Sequence, residues 1–252
     1  MVATSKAPSS KPPATSKPSA SVLLMGTRGL KARQRHLLRD FQRLLPHGRT
    51  GSKFDTDEGL GGVAQACEDA DCGAALLLDA RDAKRLYLWA AGCPDGPSAM
   101  FRVRNVHTVA ELNLEARRCL GVRNLLAFDS AFDASPERRV YKALLTRILA
   151  VPRGAARHAA NTGGLASVRD SIEHVRHTFM LAWVDDRIWL RVYRIGRGLS
   201  GKLDVEEIGP RLVLEPVRII ASGFGGAILH ERPASGPASQ ARADADEDSD
   251  PE

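Results

Sequence analysis

Two stretches of this chain are written in the same order. AALLLDARDAKRLYLWAA (74–91) reads as an apolar strand, a polar turn and a second strand, and so does TFMLAWVDDRIWLRVYRI (178–195). Each hairpin is followed by a Gly-Pro and another strand, GPSAMFRVRNV from Gly96 and GPRLVLEPVRI from Gly209, so that the two Gly-Pro pairs lie 113 residues apart. A duplication at that period predicts an α/β protein built from two similar halves joined around 121–170, rather than one continuous sheet. Strands are expected at 74–79, 85–90, 99–106, 178–184, 187–195 and 211–220. Helices are expected at 30–45, where Leu30, Leu37, Phe41 and Leu44 share a side and Pro46 ends the run, and at 137–150, behind Ser135-Pro136.

Apolar residues make up 43% of the 252, enough to bury a core, and no apolar run approaches the roughly 20 residues of a membrane-spanning helix. The longest, Ala74–Leu78 and Gly225–Leu229, have the length of strands. Charge divides the chain further. Residues 1–20 hold Lys6, Lys11 and Lys17 among Ser, Pro, Ala and Thr, and residues 233–252 hold Arg242 against six acids. Both ends are expected to be disordered tails, because neither can bury enough apolar surface to offset the entropy of ordering. The four prolines and missing arginines of the first twenty residues argue against an amphipathic leader. With +6 overall, +3 in the first tail and −5 in the last, residues 21–232 carry +8. Such a basic body favours an anionic partner.

The cations are arranged. On a helix turning 100° per residue, Arg28, Lys31, Arg35, Arg39 and Arg43 fall within an arc of about 120° opposite the leucines. Arg33, Arg49 and Lys53 bring the segment 28–53 to eight candidate phosphate-binding cations. Like charges on one helix face repel, so the stripe is expected to serve phosphate contacts; the alternative is a solvated face. Arg102 and Arg104 point away from Phe101 and Val103 in one strand, and Arg187, Trp189, Arg191 and Tyr193 away from Ile188, Leu190 and Val192 in another. Guanidinium groups interleaved with aromatics suit single-stranded RNA, and equally suit a half-buried aromatic face covered by arginine stems.

Catalytic chemistry finds no such support. GRGLSGKL (196–203) has the glycine and lysine spacing of a phosphate loop, but Leu203 stands where a magnesium-holding Ser or Thr belongs, and the next residues read as a strand. His174 and His177 lack a neighbouring ligand set, and Asp185-Asp186 sits where a turn belongs. Cys67, Cys72, Cys93 and Cys119 form no paired knuckles, so reduced thiols are expected, with no metal and no cofactor.

Five blocks in order, MGTRGLKARQRHLLRDFQRLLPH (25–47), GPSAMFRVRNVHTVAEL (96–112), LLAFDSAFD (125–133), DDRIWLRVY (185–193) and VEEIGPRLVLEPVRIIASGFGGAILHE (205–231), resemble the Brix domain family. The likeness covers about 23–232, and its short signature is Ile208–Arg211. It implies a Brix domain over 21–232, with two α/β halves (about 21–120 and 170–232, linked by 121–169), each resembling an anticodon-binding domain. It further implies a non-enzymatic factor of the nucleus and nucleolus that binds precursor rRNA and serves rRNA processing and large (60S) subunit assembly. The implied partners are other pre-60S factors, among them the EBNA1-binding-protein homologue, with no membrane and no small-molecule substrate. Arg28–His47, Arg102, Arg104 and Arg211 match motif positions. Two departures are a connection at 153–176 longer than the family's and a short acidic tail where many members extend basically. The competing expectation is a protein-interaction scaffold with indirect RNA contact.

Overall fold

The computed structural model describes residues 19–54, 59–82, 84–112, 123–152, 175–197 and 203–232. The two tails, apart from Ser19 and Ala20, most of the 153–176 connection with His174, residues 198–202 and Cys119 lie outside the described residues. In chain order the elements are β1 (Val22–Gly26), α1 (Ala32–Leu44), β2 (Gly48–Thr50), α2 (Gly61–Asp69), β3 (Ala74–Asp79), β4 (Leu86–Gly92), β5 (Ser98–His107), β6 (Asn124–Phe128), α3 (Pro136–Leu149), β7 (His177–Val184), β8 (Arg187–Arg197), β9 (Leu203–Glu207), β10 (Arg211–Ser222) and β11 (Gly225–Glu231). All six expected strands and both expected helices are among them.

Local chemistry explains their limits. Ser135 caps α3 by accepting the Arg138 N–H, with Pro136 in the first turn, where its missing donor costs nothing. Helix α1 stops at Leu44, and the Leu45 N–H donates to the Phe41 carbonyl just before Pro46. Between β7 and β8, Asp185 and Asp186 both adopt positive φ (50° and 56°), the conformation that a two-residue hairpin turn matched to strand twist demands.

The strands form one sheet in the order β2-β1-β3-β4-β5-β10-β8-β7-β6, with β11 added to β10 and β9 to β8. Strands β1 and β3 are parallel neighbours, as are β6 and β7, and each pair is bridged by a crossover that includes a helix; β3-β4-β5 and β7-β8-β10 are antiparallel runs. The expectation of a divided sheet is corrected here. The two strands that follow the Gly-Pro pairs, β5 and β10, pair antiparallel from Arg211 opposite His107 to Ile220 opposite Ser98. They are the centre of the sheet because each is long, 10 and 12 residues, and apart from the other would present an unpaired edge. Residues 124–149, inside the expected connection, supply β6 and α3.

Two cores lie on opposite faces of this sheet. On one, α1 (Leu37, Phe41, Leu44) and α3 (Tyr141, Leu144, Leu145, Ile148) pack on Leu76, Leu88, Phe101, Phe179, Ile188 and Leu190. On the other, Val63 and Cys67 of α2 pack with Leu77, Trp89, Cys93 and Phe224. Buried Asp40 fastens α1 to the turn after β5 by accepting the Val109 N–H at 2.9 Å, and burial raises its carboxyl above the usual range.

Asn124 performs the corresponding task for α3. Its buried amide donates to the Leu149 carbonyl at 2.7 Å and accepts the Val151 N–H at 3.1 Å, satisfying backbone groups where the helix ends against β6. Asn124→Ala is expected to cost about 2 kcal/mol or more, read as a lower urea midpoint at unchanged slope, because two buried backbone groups lose their partners. A midpoint shift under a quarter of that would mean the helix end finds other partners.

Candidate nucleic-acid interface

The chain leaves β1 at Gly26 and enters α1 through Thr27–Lys31, with Gly29 at φ 96° making a turn that side chains resist. Thr27 is anchored from below, its hydroxyl accepting the Ala80 N–H at 2.9 Å. This turn, the outer side of α1, Thr50 at the end of β2 and the following Gly51–Lys53 enclose an open groove of about 520 Å³. Arg28, Arg35, Arg39 and Lys53 line it together with Gln42, Thr50 and Ser52, and among the described residues no carboxylate does. All four cations are exposed, and Arg39 and Lys53 are in no ion pair among the described residues. The groove lies beyond the carboxyl ends of parallel strands and beside a helix N-terminus, where strand and helix amides turn outward. Four exposed cations converging on one groove make it a candidate site for a polyanion.

The other predicted cations on this segment are placed differently. Arg33 turns to Glu111 at 2.6 Å, and Arg49 donates to the Ala70 carbonyl beyond α2. Lys31 and Arg43 are exposed on α1 outside the groove lining.

The strand residues form a separate surface. As the alternation requires, Ile188, Leu190 and Val192 are fully buried on the α3 side, while Trp189, Arg191 and Tyr193 face the opposite side. Helix α1 packs on the first of these faces. The helix cations and the β8 aromatics are therefore on opposite faces, with four strands between β1 and β8, about 24 Å at the usual strand spacing. They do not make one continuous platform.

Several strand arginines are already engaged. Arg104 meets Glu215 at 2.5 Å with side chains only 11% and 12% exposed, so it serves the β5–β10 junction. Arg211 binds Glu207 through two hydrogen bonds, 2.6 and 3.0 Å, and Arg191 reaches the same carboxylate at 3.5 Å. These partners, the Arg211 hydrogen bond above all, hold the Glu207 carboxyl below its ordinary range. Arg102 is half-buried beside Arg104. Arg187 is in no ion pair among the described residues.

Sequence reasoning missed Thr27, Gly29, Gln42 and Ser52 as groove residues. Their signal was the Gly-Thr-Arg-Gly turn between the VLLM run and α1, legible only once that run is recognised as a strand. The phosphate-loop look-alike resolves against nucleotide binding: Leu203 begins β9, which pairs antiparallel with β8, so no helix follows Lys202. Cys67, Cys72 and Cys93 are buried free thiols. No helix among the described residues is long and apolar enough to cross a membrane.

Comparison with known proteins gives two findings. The family model described as Brix domain matches residues 27–218. Among curated relatives, the "Ribosome biogenesis protein BRX1 homolog" of Xenopus laevis is 37% identical over 212 residues, 84% of this chain and 58% of the relative. The human protein of the same name is 35% identical over 84% of the chain and 56% of its own length. "Ribosome biogenesis protein BRX1" of Saccharomyces cerevisiae is 34% identical over 83% of the chain and 70% of its own length. The chain thus spans a little over half the length of the vertebrate relatives it matches.

Proposed function

Because this chain belongs to the Brix domain family, we propose that it is a non-catalytic ribosome-biogenesis factor that binds precursor rRNA of the large subunit in the groove beside α1. The observation that carries the reading is the groove itself: Arg28, Arg35, Arg39 and Lys53 around about 520 Å³, with no carboxylate in the lining among the described residues. Phosphates entering it release condensed counterions, which supplies affinity without reading sequence. Lys31 and Arg43 extend the same positive side of α1 toward flanking phosphates. Arg33, once freed from Glu111, and Arg49 border it. A factor built this way holds a segment of folding RNA in place while neighbouring parts assemble, and needs no reacting group. The working unit is 21–232. Its place is the nucleolus, among pre-60S factors that include the EBNA1-binding-protein homologue.

The test is ultraviolet cross-linking of the tagged full chain to RNA in cells, followed by sequencing of what is attached. Reads are expected to concentrate in one region of the large-subunit precursor. Intact co-purification of pre-ribosomes without RNA cross-links would replace this reading with the protein-scaffold one.

A further inference from the structure

Trp89 and Trp189 occupy corresponding places. Each lies on the middle strand of an antiparallel run, Trp89 between Leu77 and Met100, Trp189 between Ala182 and Val213, and both face the side of the sheet away from α1 and α3. Their surroundings differ. Trp89 is fully buried beneath Val63 and Cys67 of α2 and against Phe224, whose ring centroid is 6.0 Å away. Above Trp189 is instead an open hollow of about 350 Å³ lined by Met180, Ala182, Val184, Trp189, Arg191 and Tyr193. Met180 and Val184 are 49% and 43% exposed.

We propose that the β7–β8 face around Trp189 is a docking site for an amphipathic α-helix of a protein partner, its apolar side on Met180, Val184 and Trp189 and an acidic residue against Arg187. The equivalent face shows what such an occupant looks like, since α2 is nine residues of helix whose small apolar side closes over Trp89. The dimensions agree: five residues of β7, Met180–Val184, span about 13–17 Å, the length of a helix of about nine to eleven residues. Composition agrees as well, since Trp, Tyr, Met and Arg are the residues enriched at protein interfaces.

Charge favours a protein partner over RNA on this face. Glu207, opposite Tyr193 in register and so on this face, ties up both Arg191 and Arg211, so the cations at the β9 end are already neutralised against phosphate. At the other end of the face, next to Val184 in register, Arg187 has no ion-pair partner among the described residues and is open to a carboxylate. The same distribution fixes the orientation, with the partner's acidic residue at the hairpin-turn end. The site is independent of the α1 groove.

The experiment places p-benzoylphenylalanine at position Met180, and separately at Val184, in the full chain in cells. Cross-linked peptides are then mapped by mass spectrometry. The expected result is one peptide of another protein from both positions, with apolar residues at helical spacing and a flanking Asp or Glu. Its cross-link from position Met180 is expected to fall about tenfold or more with Val184→Glu, at unchanged melting temperature and unchanged RNA affinity of the purified chain. Cross-links to RNA, to residues 153–174 of the same chain or to a second copy, or the absence of any cross-link, would each overturn the proposal. If Val184→Glu lowers the melting temperature, the identity of the cross-linked peptide decides alone. RNA binding through the α1 groove is read in a separate assay, so either reading fails without the other.

Discussion

Reversing two groove cations together, Arg35→Glu with Arg39→Glu, is expected to lower the affinity of the purified chain for single-stranded RNA by roughly 100-fold near physiological salt. The slope of log affinity against log salt is expected to flatten by about 1.4, because each lost phosphate contact removes about 0.7. Both side chains are exposed on α1 and line the groove, so the change touches no core contact. Arg35 does donate to the Leu30 carbonyl, and the fold is therefore checked by thermal melting. Arg33→Glu is the internal comparison for either single reversal, Arg35→Glu or Arg39→Glu: it makes the same one-residue charge reversal on the same helix, but Arg33 is engaged with Glu111 outside the groove lining. Its effect is expected to be the smaller by about tenfold, since long-range repulsion is screened over about 10 Å at 0.1 M salt. An unchanged salt slope in the double variant would remove the groove from the mechanism.

The groove also shows where sequence reasoning ran out. Hairpins were legible because alternation marks a strand whose two faces meet different surroundings, as in Ile188, Leu190 and Val192 against Trp189 and Tyr193. Strand β1 was not, since all five residues of VLLMG are buried and such a run carries no period. Helix α2 opens on two glycines and holds mostly small side chains, so it has neither a cap nor a strong stripe. Without β1, the GTRG turn had no strand to leave and the groove no floor. The cation stripe itself was legible, but its division between groove and flank was not: Glu111 claims Arg33 from 78 residues away, and Glu215 claims Arg104 from 111. The repeat correctly pointed to similar hairpins, whereas joining them into one sheet depends on the register of β5 against β10, which no local pattern encodes.

His177, which spacing alone had offered as half of a histidine pair, is expected to make the fold acid-sensitive. It begins β7, fully buried, in edge contact with Phe179 at 5.7 Å, and neither ring nitrogen has a hydrogen-bond partner among the described residues. Burial disfavours the imidazolium and pushes its pKa down from 6.5 to about 4. The unfolded chain therefore binds the proton more readily than the folded one between those values. Stability from this group is fully present above pH 6.5 and is lost as pH falls toward 4, by about 3 kcal/mol in total. His177→Leu removes the titrating group and two buried unsatisfied nitrogens at similar volume. The variant is expected to be at least as stable as the parent at pH 7.5, and to lose about 3 kcal/mol less than the parent on acidification to pH 4. Carboxylates elsewhere titrate in both proteins and cancel in the comparison. Urea unfolding at intervals between pH 7.5 and 4 measures the difference, and parallel curves for the two proteins would show that His177 is solvated or partnered when protonated.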